Sequence, residues 1–136
     1  MISEIRNETG TQKLVGYVIE VGHPDGTARC WLDLDERHLN RHNVLHGGIA
    51  TMLLDSASGA AGSLTVDNTG RAPFLTVSLT TQFVASGKLG RVTAVGRVTG
   101  GGRSLKYITA ELHHGDGTLI ATSTGVFKRV PEEKLP

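Results

Sequence analysis

The stretch Asn40–Leu64, NRHNVLHGGIATMLLDSASGAAGSL, decides the fold. It begins as a polar loop, turns at His46-Gly47-Gly48 and continues into a segment whose apolar residues recur every three or four positions. That spacing puts them on one face of an α-helix; they are Ile49, Leu53, Ala57, Ala60 and Leu64. The other faces are nearly as apolar, which is typical of a buried helix. We therefore predict a buried helix that starts at the glycine pair and ends at Gly59 and Gly62.

Asp55 is the one charged residue inside this predicted helix. No side chain three or four positions away can pair with its carboxylate on the helix surface; these neighbours are Thr51, Met52, Ser58 and Gly59. Because an unpaired carboxylate in a buried helix is costly, Asp55 needs a partner from another element or has a chemical use. It could attack a carbonyl directly or activate a water as a general base.

Composition narrows the class of protein. The chain has 136 residues and a formal net charge of +1, with 20% charged and only 4% aromatic residues, so a nucleic-acid-binding surface is not expected. Cys30 is the only cysteine, which rules out an intrachain disulfide and favours a reducing compartment. Without a signal-peptide pattern or an apolar run of membrane-spanning length, the sequence predicts a soluble, cytoplasmic protein.

Strand patterns lie on both sides of the predicted helix. Two predicted strands precede it and four follow: 14–21, 28–34, 74–84, 91–98, 105–113 and 118–130. The first strand after the helix should place Leu75, Val77, Leu79, Thr81 and Phe83 on one face. Short turns between consecutive strands give an antiparallel sheet, and the buried helix must pack against it.

The predicted architecture is thus α+β, an antiparallel sheet of about six strands wrapped around one long central helix, in the order β-β-α-β-β-β-β. We expect a single domain over 1–136, with loose tails at 1–12 and 131–136. Such a sheet has open edges. A second copy would cover them, so we expect a homodimer, with a dimer of dimers as the larger alternative.

This element order, together with Asn40, His46-Gly47-Gly48 and Asp55 nine residues after the histidine, resembles the hotdog-fold acyl-CoA thioesterases. Within them the resemblance is closest to the phenylacetate-pathway (PaaI-like) thioesterase family, and it covers about 14–130. One departure is Asn43, where many relatives have glycine; asparagine also tolerates left-handed backbone, so we expect the loop to survive. The resemblance implies hydrolysis of an acyl- or aryl-CoA thioester to the free acid and CoA.

The glycine turn suits a carbonyl-binding role. The first amides of a helix have no partner within it and favour developing negative charge, so the Gly47 N–H could polarise a thioester carbonyl, while Gly48 would allow close approach of substrate. Gly47 and Asp55 are roughly 12 Å apart along the helix axis, whereas reacting atoms must come within about 3 Å. Two antiparallel helices of a dimer could bring them together, and the resemblance implies two such sites at the dimer interface.

The resemblance also assigns supporting roles. Asn40 would orient the water or the carboxylate, His46 would support the turn or the leaving thiolate, and the Thr76 hydroxyl would position water near Asp55. Phosphates of CoA could be bound by basic side chains; the candidates are Arg103, Lys106 and Lys88, with Lys128 and Arg129 as further ones. No metal and no cofactor is predicted, since CoA is part of the substrate.

Two other functions are possible for the same fold, and the sequence favours them less. A hotdog enoyl-CoA hydratase would prefer an Asp/His pair with a different spacing. A non-catalytic acyl-CoA-binding or sensing module would not need the carboxylate of Asp55, so Asp55 disfavours it. The sequence predicts no DNA-binding segment, which disfavours a regulator. The sequence is compatible with several acyl groups, and with Asp55 as either nucleophile or general base.

Overall fold

The computed structural model describes the backbone of residues 1–136 and every side chain except that of Glu132. Seven strands and two α-helices follow one another as β1 Ser3–Ile5, α1 Gly10–Val15, β2 Val18–Val21, β3 Ala28–Leu34, α2 Gly47–Ser63, β4 Phe74–Phe83, β5 Gly90–Gly101, β6 Leu105–His114 and β7 Leu119–Arg129. Two short 3₁₀ turns, Glu36–His38 and Glu132–Lys134, complete the described elements.

All seven strands form one antiparallel sheet in the order β1-β2-β3-β5-β6-β7-β4. Helix α2 packs along one face of this sheet, and its Leu53, Leu54 and Ala57 are completely buried there. Cys30 lies in the same core, where burial raises the pKa of its thiol. The predicted α+β hotdog architecture is confirmed, with seven strands in place of about six.

The N-terminal segment is part of the sheet, so the prediction of a loose tail over 1–12 is wrong. Ile5 in β1 is only 3% exposed. The side-chain amide of Gln12 donates to the carbonyls of Ile5 (2.8 Å) and Tyr17 (3.0 Å) from a buried position. One buried apolar residue and one buried amide thus fix a segment whose polar composition suggested disorder.

The first predicted strand starts later than expected. Helix α1 occupies its first positions and ends at Gly16, whose φ of 92° lies in the left-handed region that glycine adopts readily. Pairing begins only at Val18. At the other end of the chain, 131–136 contains one 3₁₀ turn, and its looseness stays a prediction.

Helix α2 differs from its prediction in length and in burial. It runs past Gly59 and Gly62 to Ser63. A Cβ at Gly62 would lie 3.2 Å from the side chains of Phe74 and Ile108, so this glycine permits close packing and does not end the helix. One face of α2 is left partly open by the chain itself; it carries Gly48, Met52, Asp55, Ser56 and Gly59.

Strand β4 contains an irregularity that changes which side chains face the helix. Its pairing with β7 shifts between Thr76 and Ser78. Phe74 packs against the core, and the Thr76 hydroxyl donates to Asp55 of α2. Leu75 and Val77, in contrast, are 54% and 59% exposed. The predicted shared face is therefore wrong before the bulge, because one extra residue reverses the alternation.

Candidate active site

The loop before α2 is held by the side chain of Asn40. Its Oδ1 accepts the N–H of His42 (2.9 Å) and lies 3.4 Å from the amide of Val44. Its own backbone N–H donates to the carbonyl of Val44 (2.8 Å). Asn43 has φ of 60°, so the expectation that asparagine would replace glycine in a left-handed position is confirmed.

His46 is the N-cap of α2, and its side chain forms a hydrogen bond with the backbone N–H of Gly48. Its Nδ1 accepts the Gly48 N–H at 2.9 Å, which satisfies one of the free donors of the first turn. A Cβ at Gly48 would lie 3.0 Å from the His46 ring, so a larger residue would crowd the cap.

Gly47 is the first residue of α2, and its N–H has no acceptor among the described residues. The ring of Phe83 lies 3.4 Å from where a Gly47 Cβ would stand. An unoccupied amide at a helix start, beside an aromatic ring, can donate to a ligand carbonyl.

Asp55 finds its partner on β4. The hydroxyl of Thr76 donates to Oδ1 of Asp55 at 2.6 Å, and the carboxylate is half-buried. The bond leaves Oδ2 without a hydrogen-bond partner in the described part of the chain. Thr76 was assigned near the carboxylate by resemblance, and the structure puts it in direct contact.

These residues line two different clefts of the single chain. The Gly47 cleft encloses about 380 Å³ and is lined by Asn40, Val44, Leu45, Gly47, Ala50, Phe83, Val84, Ala85, Ser86, Gly87 and Ile120. The Asp55 cleft encloses about 260 Å³ and is lined by Glu8, Ile19, Asp55, Ser56, Gly59, Ala60, Gly70, Arg71, Ala72, Pro73, Phe74, Thr76 and Phe127. The Gly47 amide and the Asp55 carboxylate therefore do not share a cleft within the single chain.

A third and larger cleft, of about 870 Å³, contains Arg103, one of the predicted phosphate-binding residues. Arg71 and Arg129 line it as well, and we call it the arginine cleft. Lys106 and Lys88 line none of these three clefts. The structure of the single chain thus gives no support to phosphate contacts by the two lysines.

Sequence reasoning missed Glu8 and Arg71. Glu8 lies in the N-terminal segment that was expected to be loose, and its Oε2 is 2.6 Å from Nε of Arg71. The two residues are 63 positions apart, and no local pattern links them. The turn signal around Gly70 marked the place of Arg71 but not its partner.

The side chains of His38 and His46 make hydrogen bonds, whereas His42 is exposed. His38 is buried; its Nε2 lies 2.8 Å from the carbonyl of Val15, and its Nδ1 accepts the N–H of Asp35 at 3.0 Å. Within the described part of the chain there is no group of three or more residues arranged to hold a metal. No described helix has the length and apolar character needed to cross a bilayer.

A seven-stranded antiparallel sheet packed on one long helix, entered through a glycine turn, places the molecule in the hotdog class of folds. The chain belongs to the thioesterase superfamily, whose family model matches residues 42–121. It is a thioester hydrolase, and the resemblance to hotdog thioesterases of the PaaI-like type is confirmed. The matched segment includes Gly47, Asp55 and Thr76.

Two relatives are similar over most of the chain. A candidate esterase of Pseudomonas aeruginosa is 32% identical over 97 residues, which are 71% of this chain and 70% of that protein. Acyl-coenzyme A thioesterase 13 of Homo sapiens is 28% identical over 112 residues, which are 81% of this chain and 78% of that protein.

Solved structures share the fold. The conserved protein PA5202 of Pseudomonas aeruginosa superposes with a TM-score of 0.78 at 29% identity, over 90% of this chain and 94% of its own. The Escherichia coli PaaI protein of the phenylacetic acid degradation operon gives 0.77 at 22% identity, over 90% and 86%. BH2602 of Bacillus halodurans, solved with CoA, gives 0.79 at 23% identity, over 94% and 83%.

Proposed function

We propose that this protein is an acyl-CoA thioesterase that hydrolyses an acyl- or aryl-CoA thioester to the free acid and CoA at the interface of a homodimer. The observation that carries the proposal is the separation of Gly47 and Asp55 into two clefts along one helix. Each complete site would combine Gly47 of one protomer with Asp55 of the partner subunit. The human relative is named for acyl-coenzyme A, and one structural neighbour was solved with CoA, which supports this class of substrate.

The two edges of the sheet differ in a way that supports pairing through β4. Edge strand β1 has three residues and carries Glu4, so it is short and charged. Edge strand β4 has ten residues, and its Leu75 and Val77 are largely exposed. A long apolar edge is a template for pairing, whereas short charged edges resist it. A second copy on β4 would also cover the open face of α2.

The reaction follows from the groups in the two clefts. The Gly47 N–H donates to the thioester oxygen and stabilises the negative charge that grows there. As a general base, Asp55 takes a proton from water, the resulting hydroxide adds to the carbonyl carbon, and the C–S bond then breaks to release CoA thiolate, which takes up a proton. As a nucleophile, Asp55 attacks the carbonyl carbon, and the C–S bond breaks to release CoA thiolate, which takes up a proton. Water then cleaves the resulting acyl-enzyme anhydride into the free acid and the Asp55 carboxylate.

The remaining side chains hold these groups in place. The Thr76 hydroxyl donates to Oδ1 of Asp55 and holds the carboxylate in place. Oδ2 can then act as the base or the nucleophile. His46 accepts the N–H of Gly48, so the Gly47 N–H is the amide at the helix start that can donate to substrate. Asn40 shapes the loop and lines the Gly47 cleft, where its amide nitrogen can meet water. Water is the only co-reactant, so the proposed reaction requires neither metal nor cofactor.

The test is a thiol-release assay across a panel of aryl-acetyl, benzoyl and medium-chain acyl-CoA esters. Wild type should release thiol from at least one class, and Asp55→Asn should lose at least about 10²-fold in turnover, as expected when a catalytic acid or base is removed. Asp116→Asn, which changes an exposed turn aspartate in the same way, should retain activity.

The results distinguish the alternatives. Equal rates for wild type and Asp55→Asn would reject the role of this carboxylate. Binding of CoA esters by wild type without any thiol release would favour the sensing module. Water addition to an enoyl-CoA without thiol release would favour the hydratase.

A further inference from the structure

Helix α2 contains four glycines, and the packing of the chain explains three of them. A Cβ at Gly47, Gly48 or Gly62 would come within 3.4 Å of a neighbouring side chain, whereas a Cβ at Gly59 would meet nothing within 4 Å. Gly59 also has no left-handed backbone that would require glycine. Glycine inside a helix is less stable than alanine, because it loses more backbone freedom on folding. Gly59 therefore weakens α2 for no reason that the folded chain itself provides.

The position of Gly59 suggests what the missing side chain leaves free. Gly59 lies one helical turn after Asp55 on the open face of α2, and both residues line the Asp55 cleft. Four residues advance a helix by about 6 Å, and each Cα–Cβ bond tilts towards the helix N-terminus. A side chain at position 59 would thus point back towards Asp55. Its absence leaves free volume beside the Asp55 carboxylate.

The rest of the cleft wall near this volume is apolar. Phe127 is buried, and Phe74 is half-buried with its ring packed on α2 at Gly62, where a Cβ would lie 3.2 Å away. Ile19 and Ala60 add further apolar lining. Aromatic and aliphatic walls suit an apolar ligand group. The free volume beside Asp55 is therefore suited to the acyl half of a thioester.

In the proposed dimer, the same volume would face the Gly47 cleft of the second subunit. When two antiparallel helices set Gly47 of one opposite Asp55 of the other, a residue four positions after Asp55 lies opposite the chain just before Gly47. That part of the chain carries Val44 and Leu45, which line the Gly47 cleft. The acyl group would then lie between two apolar walls, with its carbonyl oxygen at the Gly47 N–H.

We propose that Gly59 determines the acyl-group specificity, and that the site takes thioesters whose acyl group is branched, or carries a ring, at the carbon next to the carbonyl. The reacting carbon must come within about 3 Å of the Asp55 carboxylate, so the next carbon lies beside position 59. A straight chain does not need the extra width, whereas a branch or a ring fills it and buries more apolar surface. This inference rests on the proposed thioesterase function and names its substrate class.

Two isomeric thioesters test the width of the site. Butyryl-CoA and 2-methylpropanoyl-CoA have the same number of carbons, and only the second is branched next to the carbonyl; benzoyl-CoA has a ring there. Wild type should hydrolyse 2-methylpropanoyl-CoA at least as well as butyryl-CoA. In Gly59→Ala, the ratio of kcat/KM for 2-methylpropanoyl-CoA to kcat/KM for butyryl-CoA should fall at least about 10-fold, as expected for one methyl group in an apolar pocket. The ratio of benzoyl-CoA to butyryl-CoA should fall in the same way.

Stability and a matched variant separate this effect from damage to the helix. Gly59→Ala should raise Tm by a few degrees, because alanine is the better helix former, and should keep the oligomeric state of wild type in light scattering. Gly10→Ala adds the same methyl group to the first residue of α1, where a Cβ also meets nothing within 4 Å, outside the three clefts. It should leave both ratios unchanged.

Three results would overturn the role of Gly59. One is an equal change of kcat/KM for all three thioesters, or no change for any of them. Another is dissociation of Gly59→Ala into monomers, since the glycine would then serve a close contact between subunits. The third is a wild type that prefers butyryl-CoA over 2-methylpropanoyl-CoA by about 10-fold or more.

Failure of the proposed function is recognised separately. If wild type releases thiol from none of these thioesters, their binding is measured by calorimetry on wild type and Gly59→Ala. Binding that weakens at least about 10-fold for 2-methylpropanoyl-CoA relative to butyryl-CoA would uphold the role of Gly59 without the enzyme activity. An equal change for both thioesters, or no binding by wild type, would overturn it.

Discussion

Gly47 provides the N–H on which the proposed polarisation of the carbonyl depends. A substitution by proline can remove this N–H while the helix stays intact. Proline is favoured at the first position of a helix, where its missing N–H removes no helical bond. His46 precedes it with φ of −62° and ψ of 130°, which suits the residue before proline. Gly47→Pro should therefore keep α2 and lower kcat by about 10²-fold, the loss measured for an oxyanion donor.

Gly47→Ala is the matched control for that measurement. It adds the same Cβ, 3.4 Å from the Phe83 ring, and keeps the N–H, so its kcat should remain near wild type. Steady-state thiol release with both variants gives the comparison, and circular dichroism checks that the helix is retained. An equal loss of kcat in the two variants would indicate that crowding at Phe83 lowers the activity. It would contradict the role of the Gly47 N–H.

Several of these residue roles could be predicted from the sequence, and the reason others could not is distance along the chain. Local sequence patterns predict features that depend on near neighbours. These are the HGG turn, the left-handed backbone of Asn43 and the isolated charge of Asp55. The contact of Glu8 with Arg71 spans 63 positions. The bond from Thr76 to Asp55 spans 21 positions, and only the family resemblance predicted that Thr76 would lie near this carboxylate.

At the scale of elements, the position of α2 depends on Gly96 in β5. A Cβ at Gly96 would lie 2.5 Å from the carbonyl oxygen of Ala57, and this neighbour is backbone that cannot rotate away. Gly96→Ala should push α2 from the sheet and lower the free energy of unfolding by about 1–3 kcal/mol, as for other overpacked cores. Because Ala57 is two residues from Asp55, thiol release should fall as well.

Chemical denaturation of wild type, Gly96→Ala and Gly115→Ala checks this expectation. Gly115 lies in an exposed turn, where an added Cβ meets nothing within 4 Å, so its replacement should leave stability near wild type. If Gly96→Ala is as stable as wild type, the helix does not depend on this close contact.

Element boundaries show what periodicity can and cannot predict. The 3.6-residue pattern correctly located α2, but Gly59 and Gly62 led to a predicted end that is too early. The helix continues to Ser63, because Gly62 allows close packing against Phe74 and Ile108. The alternation of β4 located the strand, but the bulge after Thr76 reverses its faces. Both errors arise where another element decides the local structure.

At the scale of the whole molecule, β4 is the surface on which the proposed dimer depends. Val77 is 59% exposed on this edge strand. A charge placed there would be buried without a partner in an interface, which opposes association. Val77→Lys should convert the dimer to monomer in light scattering and abolish thiol release, while the circular dichroism spectrum stays the same.

Leu14→Lys makes the equivalent change on α1, at a residue 75% exposed and away from β4. It should remain dimeric and active. A monomeric Val77→Lys that retains full turnover would contradict a site shared between subunits, as would a wild-type protein that is monomeric and active.

Mixed dimers test the sharing of the site directly. In a dimer of one Gly47→Pro chain and one Asp55→Asn chain, one site combines the intact Gly47 with the intact Asp55, and the other site has neither. Random assortment of equal amounts, by co-expression or by unfolding and refolding together, should therefore recover about a quarter of wild-type activity, because about half of the two-fold dimers are mixed and each has one working site. Mixing Asp55→Asn with the double variant Gly47→Pro/Asp55→Asn produces no intact pair and should recover none. If the Gly47→Pro and Asp55→Asn mixture shows only the average of its two parents, each protomer completes its own site, and the separation of the two clefts seen in the single chain must close by a movement of α2.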